Sequence, residues 1–550
     1  MNQKENKIFA LQFTTNRIES PSNGIVDFSK AAFDPQAIGA CLRAIERPLY
    51  VIRQEGKIGL ISSDCNEQTF RDQAGERYIT AVPALPIEDL GDAGFKKTYR
   101  VRCAYYAGSM ANGIASVDLV VALGRAGLLA SFGAAGLTRT RLESAIQAIQ
   151  AALPDGPYAA NLIHSPSEDA LERNAVEIYL QYGVRVVEVS AFIDLTPSIV
   201  YYRVAGLGQS DDGEMRISNH VIAKLSRREV AAKFMQPAPD DMLNQLVSEG
   251  RITAQQAELA RQVPMADDIT IEADSGGHTD NRPLVCLLPA MLALRDEIQA
   301  KYNYPVPVRV GAAGGISTPA SALAAFMMGA AYIVTGSINQ ACVEAGASDH
   351  TRRLLAQAGM ADVAMAPSAD MFEMGVKVQV LKHGTLFPMR AQKLHDLYVR
   401  YDSIDQIPAE EREKLEKQVF KRDIESIWQD TVKFFSERDP AQIERAQNNP
   451  KRRMALIFRW YLGLASRWSN SGEKGREMDY QIWCGPAMGS FNDWTRGTYL
   501  AEPENRRVAD VALQLLTGAA CQYRLQALKL QGVTFPAELE QYYPGEPLLK

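Results

Sequence analysis

Two glycine turns carry the clearest chemical signal in this chain: Val310-Gly-Ala-Ala-Gly314-Gly315-Ile-Ser-Thr-Pro319 and Ile333-Val-Thr-Gly336-Ser337-Ile338. Each closes a short apolar run. Glycine there lets backbone N–H groups approach an anion closely, as in many phosphate sites. A tight turn can need glycine for its backbone angles alone, so one such turn says little. Two in succession point to a phosphate. A second stretch, Glu272-Ala-Asp-Ser-Gly276-Gly277-His278-Thr-Asp-Asn-Arg-Pro283, places one of only six histidines after two glycines. An imidazole can give or take a proton near neutral pH. Blandly read, a lone loop histidine makes a structural hydrogen bond; a place at a catalytic rim reverses that preference. Asp274, Asp280 and Arg282 stand close enough in sequence to orient or screen it. Weaker signals are Gly108-Ser-Met110-Ala111-Asn112-Gly-Ile-Ala-Ser116, which offers a soft thioether and an amide to a flat ligand, and the polar groups Asn161 with His164, Glu188 with Ser190, and Lys224.

These groups meet only if the elements carrying them share a rim. Apolar runs at 128–132, 158–163, 184–190, 221–225, 268–273, 308–311 and 332–335 read as strands, with another presumed before Gly108. Helical patterns alternate with them. Ser116 caps one over 117–125, others cover 139–152 and 168–182, and Thr318-Pro319 opens one that runs to 328. Ser226-Arg-Arg-Glu229 reads as a capping box. This alternation, with largely apolar strands, is the pattern of a parallel α/β sheet. About eight strands over roughly 250 residues favour a (β/α)8 TIM barrel over an open doubly wound sheet. No Gly-x-Gly-x-x-Gly follows the first strand, which also weakens the dinucleotide-binding alternative. In such a barrel the strand ends that carry these groups would form one catalytic rim.

The remaining chain divides around that barrel. Residues 1–95 read as a small β-containing domain, with a hairpin from 48–52 and 58–61 and a linker at 81–94. The barrel takes 96–227 and 267–390, interrupted by a helical insertion at 228–266. Residues 391–550 read as a helical lid domain that holds all five tryptophans, 428, 460, 468, 483 and 494. Those build a helical core, and some of them can also roof a ligand site.

Composition excludes several classes. The chain has 550 residues, 59 basic and 65 acidic side chains, a net charge of −6 and 46 % hydrophobic residues. That is an ordinary globular balance without the basic stripe of a nucleic-acid binder. No apolar run approaches the ~18 residues that span a bilayer, and Met1–Lys7 has no apolar core of a secretory leader. Seven scattered cysteines form no Cys-x-x-Cys, which fits reduced thiols in a cytoplasm and gives no metal site.

Met110-Ala111-Asn112-Gly, Ser-Gly276-Gly277-His278, Ala-Ala-Gly314-Gly315-Ile and Thr-Gly336-Ser337 together resemble the FMN-dependent nitronate monooxygenase and enoyl-reductase barrel superfamily. Within it, 272–283, 335–340, Asp370-Met-Phe-Glu-Met-Gly-Val-Lys-Val-Gln379 and Asp479-Tyr-Gln-Ile-Trp-Cys-Gly-Pro-Ala-Met-Gly489 resemble the PfaD family. Those are trans-acting enoyl reductases of polyunsaturated fatty acid and polyketide synthases, and the likeness runs essentially end to end. It implies FMN across the barrel mouth, its phosphate on Gly314, Gly315, Gly336 and Ser337, its ring near Met110, Ala111 and Asn161. Asn112, Lys224, Gly276 and Gly277 complete the implied cofactor set, and His278 matches the histidine that assists proton transfer. The run Thr279-Asp-Asn-Arg-Pro283 departs from the glycine-containing turn usual in nitronate enzymes, which bears on the substrate pocket. The implied reaction uses NADPH to reduce FMN, which gives hydride to the β-carbon of a 2-enoyl thioester on acyl carrier protein. A basic patch for that acidic partner is expected from Lys451-Arg-Arg453, Arg459, Lys474 and Arg476, and a homodimer stays open. The alternatives are a nitronate monooxygenase-type flavin oxidase and a non-catalytic flavin-binding scaffold of a synthase assembly.

Overall fold

The hairpin near residue 50 forms with a tighter turn than the sequence suggests. Strands β1 (Leu49–Gln54) and β2 (Lys57–Ser62) are antiparallel, with Gln54 opposite Lys57. Only Glu55 and Gly56 lie between them, at φ +50° and +78°, the left-handed pair that suits strand twist in a two-residue turn. A third strand, β3 (Tyr78–Val82), pairs with β1. The expected linker at 81–94 therefore begins inside a strand, and it ends in the helix Ala93–Tyr99. These positions come from a computed structural model that describes residues 25–164 and 169–549. Met1–Lys7 and the first residue of the helix expected at 168–182 lie outside the described residues.

Eight parallel strands close the barrel. In chain order the first four are β4 (Tyr105–Ala107), β5 (Leu129–Phe132), β6 (Ala159–Ile163) and β7 (Val186–Ser190). An antiparallel hairpin of β8 (Leu207–Gln209) and β9 (Met215–Ile217), which the sequence reading did not anticipate, precedes the fifth barrel strand, β10 (His220–Leu225). The sixth is β11 (Asp268–Glu272). After the two-residue β12 (Gly277–His278) come the seventh and eighth, β13 (Arg309–Ala313) and β14 (Ile333–Thr335). All eight expected barrel strands are present. They are buried almost throughout because helices cover their outer face. The helices start where the caps indicated: Ser116 accepts from Leu119 N, and Thr318 forms a capping box with Ser321 behind Pro319. Below the strands, Phe95 stacks on Tyr332 with centroids 4.2 Å apart. Arg309 grips Asp268 with two 2.7 Å bonds there. The floor is packed, so ligand space lies at the C-terminal ends of the strands.

The segment 228–266 holds three helices, Arg228–Met235, Asp240–Ser248 and Ala254–Ala260, and no strand. The first packs on β10, β11 and the helix Leu284–Tyr302, so it fills the barrel's own fifth helical position. The other two lean on the helix Pro197–Ala205 and are the added part. The capping box at Ser226 does not form. Arg227 is the N-cap without a side-chain bond, while Ser226 Oγ donates to Asp280 at 2.6 Å.

Beyond β14, β15 (Val363–Pro367) and β16 (Lys377–Leu381) form a three-stranded antiparallel sheet with β12, in the order β12-β16-β15. Gly277 pairs with Gln379 and His278 with Val378. This small sheet packs into the helical region through Phe372, Val378 and Val380, against Met454, Phe458 and Tyr461 of the helix Pro450–Ser471. Trp428, Trp460, Trp468 and Trp483 pack at the edge of the same core.

The chain forms two compact units. One runs to Pro86 and includes Ala520–Gln541; the other holds Ile87–Ala519 and the residues from Tyr542 onward. The end of the last helix, Val508–Leu530, thus belongs with the N-terminal sheet and not with the helical region before it. Leu525, Leu528 and Val533 pack with Leu49, Val51, Leu60 and Val82. A three-stranded sheet has too little apolar surface to bury by itself and takes the rest from that helix.

Candidate active site

A cleft of about 1050 Å³, measured out to its open mouth, sits on the C-terminal ends of the barrel strands. Its floor near β13 and β14 is backbone. Gly314 has φ +85°, and a Cβ there would lie 2.7 Å from the carbonyl carbon of Ala273, so only glycine fits. Gly315 and Gly336 are different: a Cβ on either would point into open space. Their N–H groups have no hydrogen-bond partner among the described residues. The Nε2 of Gln340, also on the cleft wall, is buried without a partner. Unpaired donors around a glycine cradle are what an anionic group would satisfy. Ser337 Oγ accepts from Gly485 N at 3.1 Å, which leaves its O–H free to donate. The residues present therefore fit the phosphate end of a flavin mononucleotide.

His278 also lines the cleft, on β12. Its Nε2 is 3.2 Å from both carboxylate oxygens of Asp370. Asp370 is held in turn by Ser368 Oγ and, at 3.1 Å, by Met371 N. Burial opposes charge on the imidazole, but the Asp370 carboxylate outweighs it and lifts the His278 pKa above the ordinary histidine value. Burial likewise works against the Asp370 charge, yet His278 and the hydrogen bonds hold its pKa well below the usual carboxylate range. The pairing favours an imidazolium beside a carboxylate. Lys224 Nζ bonds Glu272 at 3.0 Å, and Ser275 Oγ donates to the same oxygen at 3.2 Å. Burial disfavours the Lys224 ammonium, while Glu272 and Glu188 restore it and leave the pKa raised. Asn161 spends its amide nitrogen on Ser190 Oγ, at 3.0 Å, and on the Glu188 carbonyl. Glu188 is fully buried and takes Ser109 N at 3.0 Å and the Tyr106 hydroxyl.

The structure brings His278, Met110, Ala111, Asn161 and Lys224 to this cleft, with Gly276, Gly277, Gly314, Gly315, Gly336 and Ser337. Asn112 does not reach it. Its backbone is left-handed at φ +59°, its N–H bonds Ala135 O at 2.7 Å, and its Nδ2 donates to Ser466 Oγ at 3.1 Å. It fastens the loop to the helix Pro450–Ser471. Gly276 also has a structural duty, since a Cβ there would sit 2.8 Å from Cys484 N. His164 bonds Glu172 at 2.9 Å and does not line the cleft. None of the three charged neighbours bonds His278: Asp274 binds Asn281 and Gln379, Asp280 binds Ser226 and Arg227, and Arg282 points elsewhere.

Sequence reading missed Asp370 as the imidazole's partner and Gln340 as a cleft donor, although both lie in motifs already singled out. Of the tryptophans, Trp483 alone lines the cleft. The expected basic patch is largely consumed internally. Arg452 and Arg459 share Glu373 at 2.5 and 3.5 Å, Arg453 bonds Glu425 at 2.8 Å, and Arg476 bonds Asp479 at 3.2 Å. Lys451 bonds the carbonyls of Tyr398 and Tyr401. Only Lys474 of that set is an exposed cation for which no such bond occurs among the described residues.

Comparison with known proteins bears on this geometry. Residues 105–396 match the family described as nitronate monooxygenase. Residues 26–84 match the fatty acid synthase subunit PfaD N-terminal domain, and 401–480 match the inserted helical domain of [acyl-carrier-protein] S-malonyltransferase. The chain is 51 % identical over 519 residues to a polyunsaturated fatty acid synthase subunit of Thraustochytrium sp., covering 91 % of this chain and 34 % of that one. It is 49 % identical over 437 residues to the polyketide biosynthesis protein PksE of Bacillus subtilis, covering 79 % of this chain and 57 % of that one. It thus spans about a third to a little over half of those relatives. In fold it is similar to the crystal structure of the enoyl reductase domain of MlnA, from the macrolactin biosynthesis cluster of Bacillus amyloliquefaciens. That likeness has TM-score 0.76 and 38 % identity, and it covers 80 % of this chain and all of that one. No helix among the described residues is long and apolar enough to cross a membrane, and no group of three or more His, Cys, Asp or Glu side chains there is placed to hold a metal ion.

Proposed function

The chain belongs to the PfaD family of nitronate monooxygenase-like oxidoreductases, and from that premise we propose that it is an FMN-dependent enoyl reductase. Its substrates would be 2-enoyl thioesters on acyl carrier protein domains of a polyunsaturated fatty acid or polyketide synthase, with NADPH as reductant, in the cytoplasm. The observation that carries this reading is the His278–Asp370 pair. Reduction of an enoyl thioester ends with a proton delivered to the α-carbon, and an imidazolium held charged by a carboxylate is built to give one. A nitronate oxidase would need the same imidazole to rest unprotonated, and the raised pKa shifts it away from that form.

FMN bound here would supply hydride transfer, the chemistry side chains cannot. The residues do the rest. Gly315, Gly336, Ser337 and Gln340 offer donors for its phosphate. Met110, Ala111 and Asn161 would shape the cleft around the rest of the cofactor. His278 holds the proton at its imidazole, and Asp370 orients the ring and stabilises its charge. Trp483 closes the mouth on the helical side and helps to exclude water. The similarity of 401–480 to a helical domain of an acyl-carrier-protein transferase supports a carrier-borne substrate.

The deciding experiment is anaerobic addition of NADPH to the purified flavoprotein, followed by a crotonyl thioester on carrier protein. We expect NADPH to bleach the flavin and the thioester to restore its colour, with turnover reduced in His278→Ala. A protein purified without flavin, or a flavin that NADPH leaves oxidised while a nitroalkane reduces it, would overturn the assignment.

A further inference from the structure

A second cavity opens on the same end of the barrel, behind the loop that carries His278. Ser226, Arg227 and Arg228 reach it from the end of β10, Asp280 and Arg282 from the loop after β12, and Cys286 from the first turn of the helix Leu284–Tyr302. The same two strand-end loops line both spaces. Lys224, Ser275 and His278 face the cleft, while Arg227, Asp280 and Arg282 face the second cavity. The wall between them is pinned by Asp280, which accepts from Ser226 Oγ at 2.6 Å and from Arg227 Nε at 3.2 Å.

Three guanidiniums face two carboxylates there, Asp280 and Glu229. Asp280 pairs with Arg227 and also feels the charge of Arg282. Arg228 bonds Glu297 at 2.7 Å and the Ala290 carbonyl at 3.2 Å. The guanidinium of Arg282 has no hydrogen bond or ion pair among the described residues. Its fork of donors faces a space beside the catalytic loop, and that geometry matches a phosphate oxygen pair.

We propose that this cavity is a phosphate subsite, in which Arg282, with Arg228, binds the phosphate ester of an extended molecule whose reactive end reaches past His278 into the cleft. It rests on the reductase reading for why such a molecule comes here. That reading offers two sources, the phosphopantetheine arm of the acyl substrate and the 2′-phosphate of NADPH.

Cys286 supplies the test. It is the exposed thiol among seven free cysteines and lines this cavity. N-ethylmaleimide labelling of Cys286 in the full chain is followed by peptide mass spectrometry, with Cys286→Ser as background. Phosphopantetheine should slow labelling about tenfold at roughly ten times its Kd, and pantetheine should not; that result supports the acyl-arm source. Protection by NADPH and not by NADH supports the cofactor source. Arg282→Gln should abolish the protection and Arg282→Lys should retain part of it. The proposal is overturned if neither phosphate-bearing compound protects, if inorganic phosphate protects equally well, or if Arg282→Gln is protected like the wild type. Labelling needs no turnover. Protection in a chain that fails to reduce enoyl thioesters would therefore sink the reductase reading and leave the phosphate site standing.

Discussion

His278 Nε2 lies 3.2 Å from each carboxylate oxygen of Asp370, although the two residues are far apart in the chain and sit on opposite sides of a strand pairing. The β12–β16 ladder makes the meeting possible. It draws the loop after the sixth barrel strand toward the sheet that follows the eighth, and the segment joining β15 to β16 carries Asp370 over the imidazole. A segment beyond the eighth barrel strand thereby sets the charge of a group beyond the sixth.

Asp370→Asn should leave the barrel folded and lower the His278 pKa, because the main influence raising it is removed while burial still disfavours the charge. The alkaline limb of the kcat profile for enoyl reduction should move to lower pH, with little change in KM for the thioester. Profiles of wild type and variant over the same buffers check it. An unmoved limb would mean the imidazole is not the proton source.

The same pair sets a stability window. The folded pKa of His278 is raised, so its contribution is fully present below its unfolded value of about 6.5 and is lost as pH rises through the folded value. The folded pKa of Asp370 is lowered, so its contribution is present above about 3.9 and is lost as pH falls toward the folded value. The Tm difference between wild type and Asp370→Asn should be largest between about pH 4 and 6.5 and shrink above it. Thermal melts across that range decide. A difference that grows toward alkaline pH would contradict the pairing.

The barrel was legible because its evidence is local. Apolar runs ending in glycine and caps such as Ser116 and Thr318 depend on a few adjacent residues. Glycine turns announced themselves for the same reason, and Gly314 shows the backbone demand directly in its φ of +85°. What stayed hidden depends on contacts remote in sequence. Asp370 reaches His278 only through the β12–β16 register. Ser226 looks like a cap until Asp280, 54 residues away, claims its hydroxyl. The basic run at 451–453 looks like a docking surface until Glu373 and Glu425 take up its charges. Charged residues in particular cannot be assigned to solvent or to partner from sequence spacing.

Asn112 offers a test of the residue that left the expected cofactor set. Its left-handed backbone suits glycine, and its side chain makes a single hydrogen bond to Ser466. Asn112→Gly should cost no more than about 1 kcal/mol, the net worth of that bond offset by relief of the backbone. Bound flavin per chain should stay at the wild-type level. Denaturant unfolding and the flavin absorbance after denaturation measure both. A marked fall in flavin content with stability intact would return Asn112 to the binding site.

Gly336 and Gly314 separate binding from folding within one cradle. A methyl group on Gly336 meets no protein atom within 4 Å, and its φ is −138°, so Gly336→Ala should fold with a near-wild-type Tm once stripped of flavin. The added carbon would instead occupy the space where the phosphate approaches the backbone, weakening FMN by about tenfold or more, or about 1.4 kcal/mol. Gly314→Ala meets both obstacles that Gly336→Ala avoids. Its φ of +85° strains any L side chain, and its Cβ would press on the Ala273 backbone at 2.7 Å. That variant should lose about 2–4 kcal/mol of stability whether or not flavin is present. Titration of the stripped proteins with FMN, beside their melting curves, distinguishes the two. Equal loss of stability in both variants would show that the cradle is only a turn, and the phosphate assignment would fall with it.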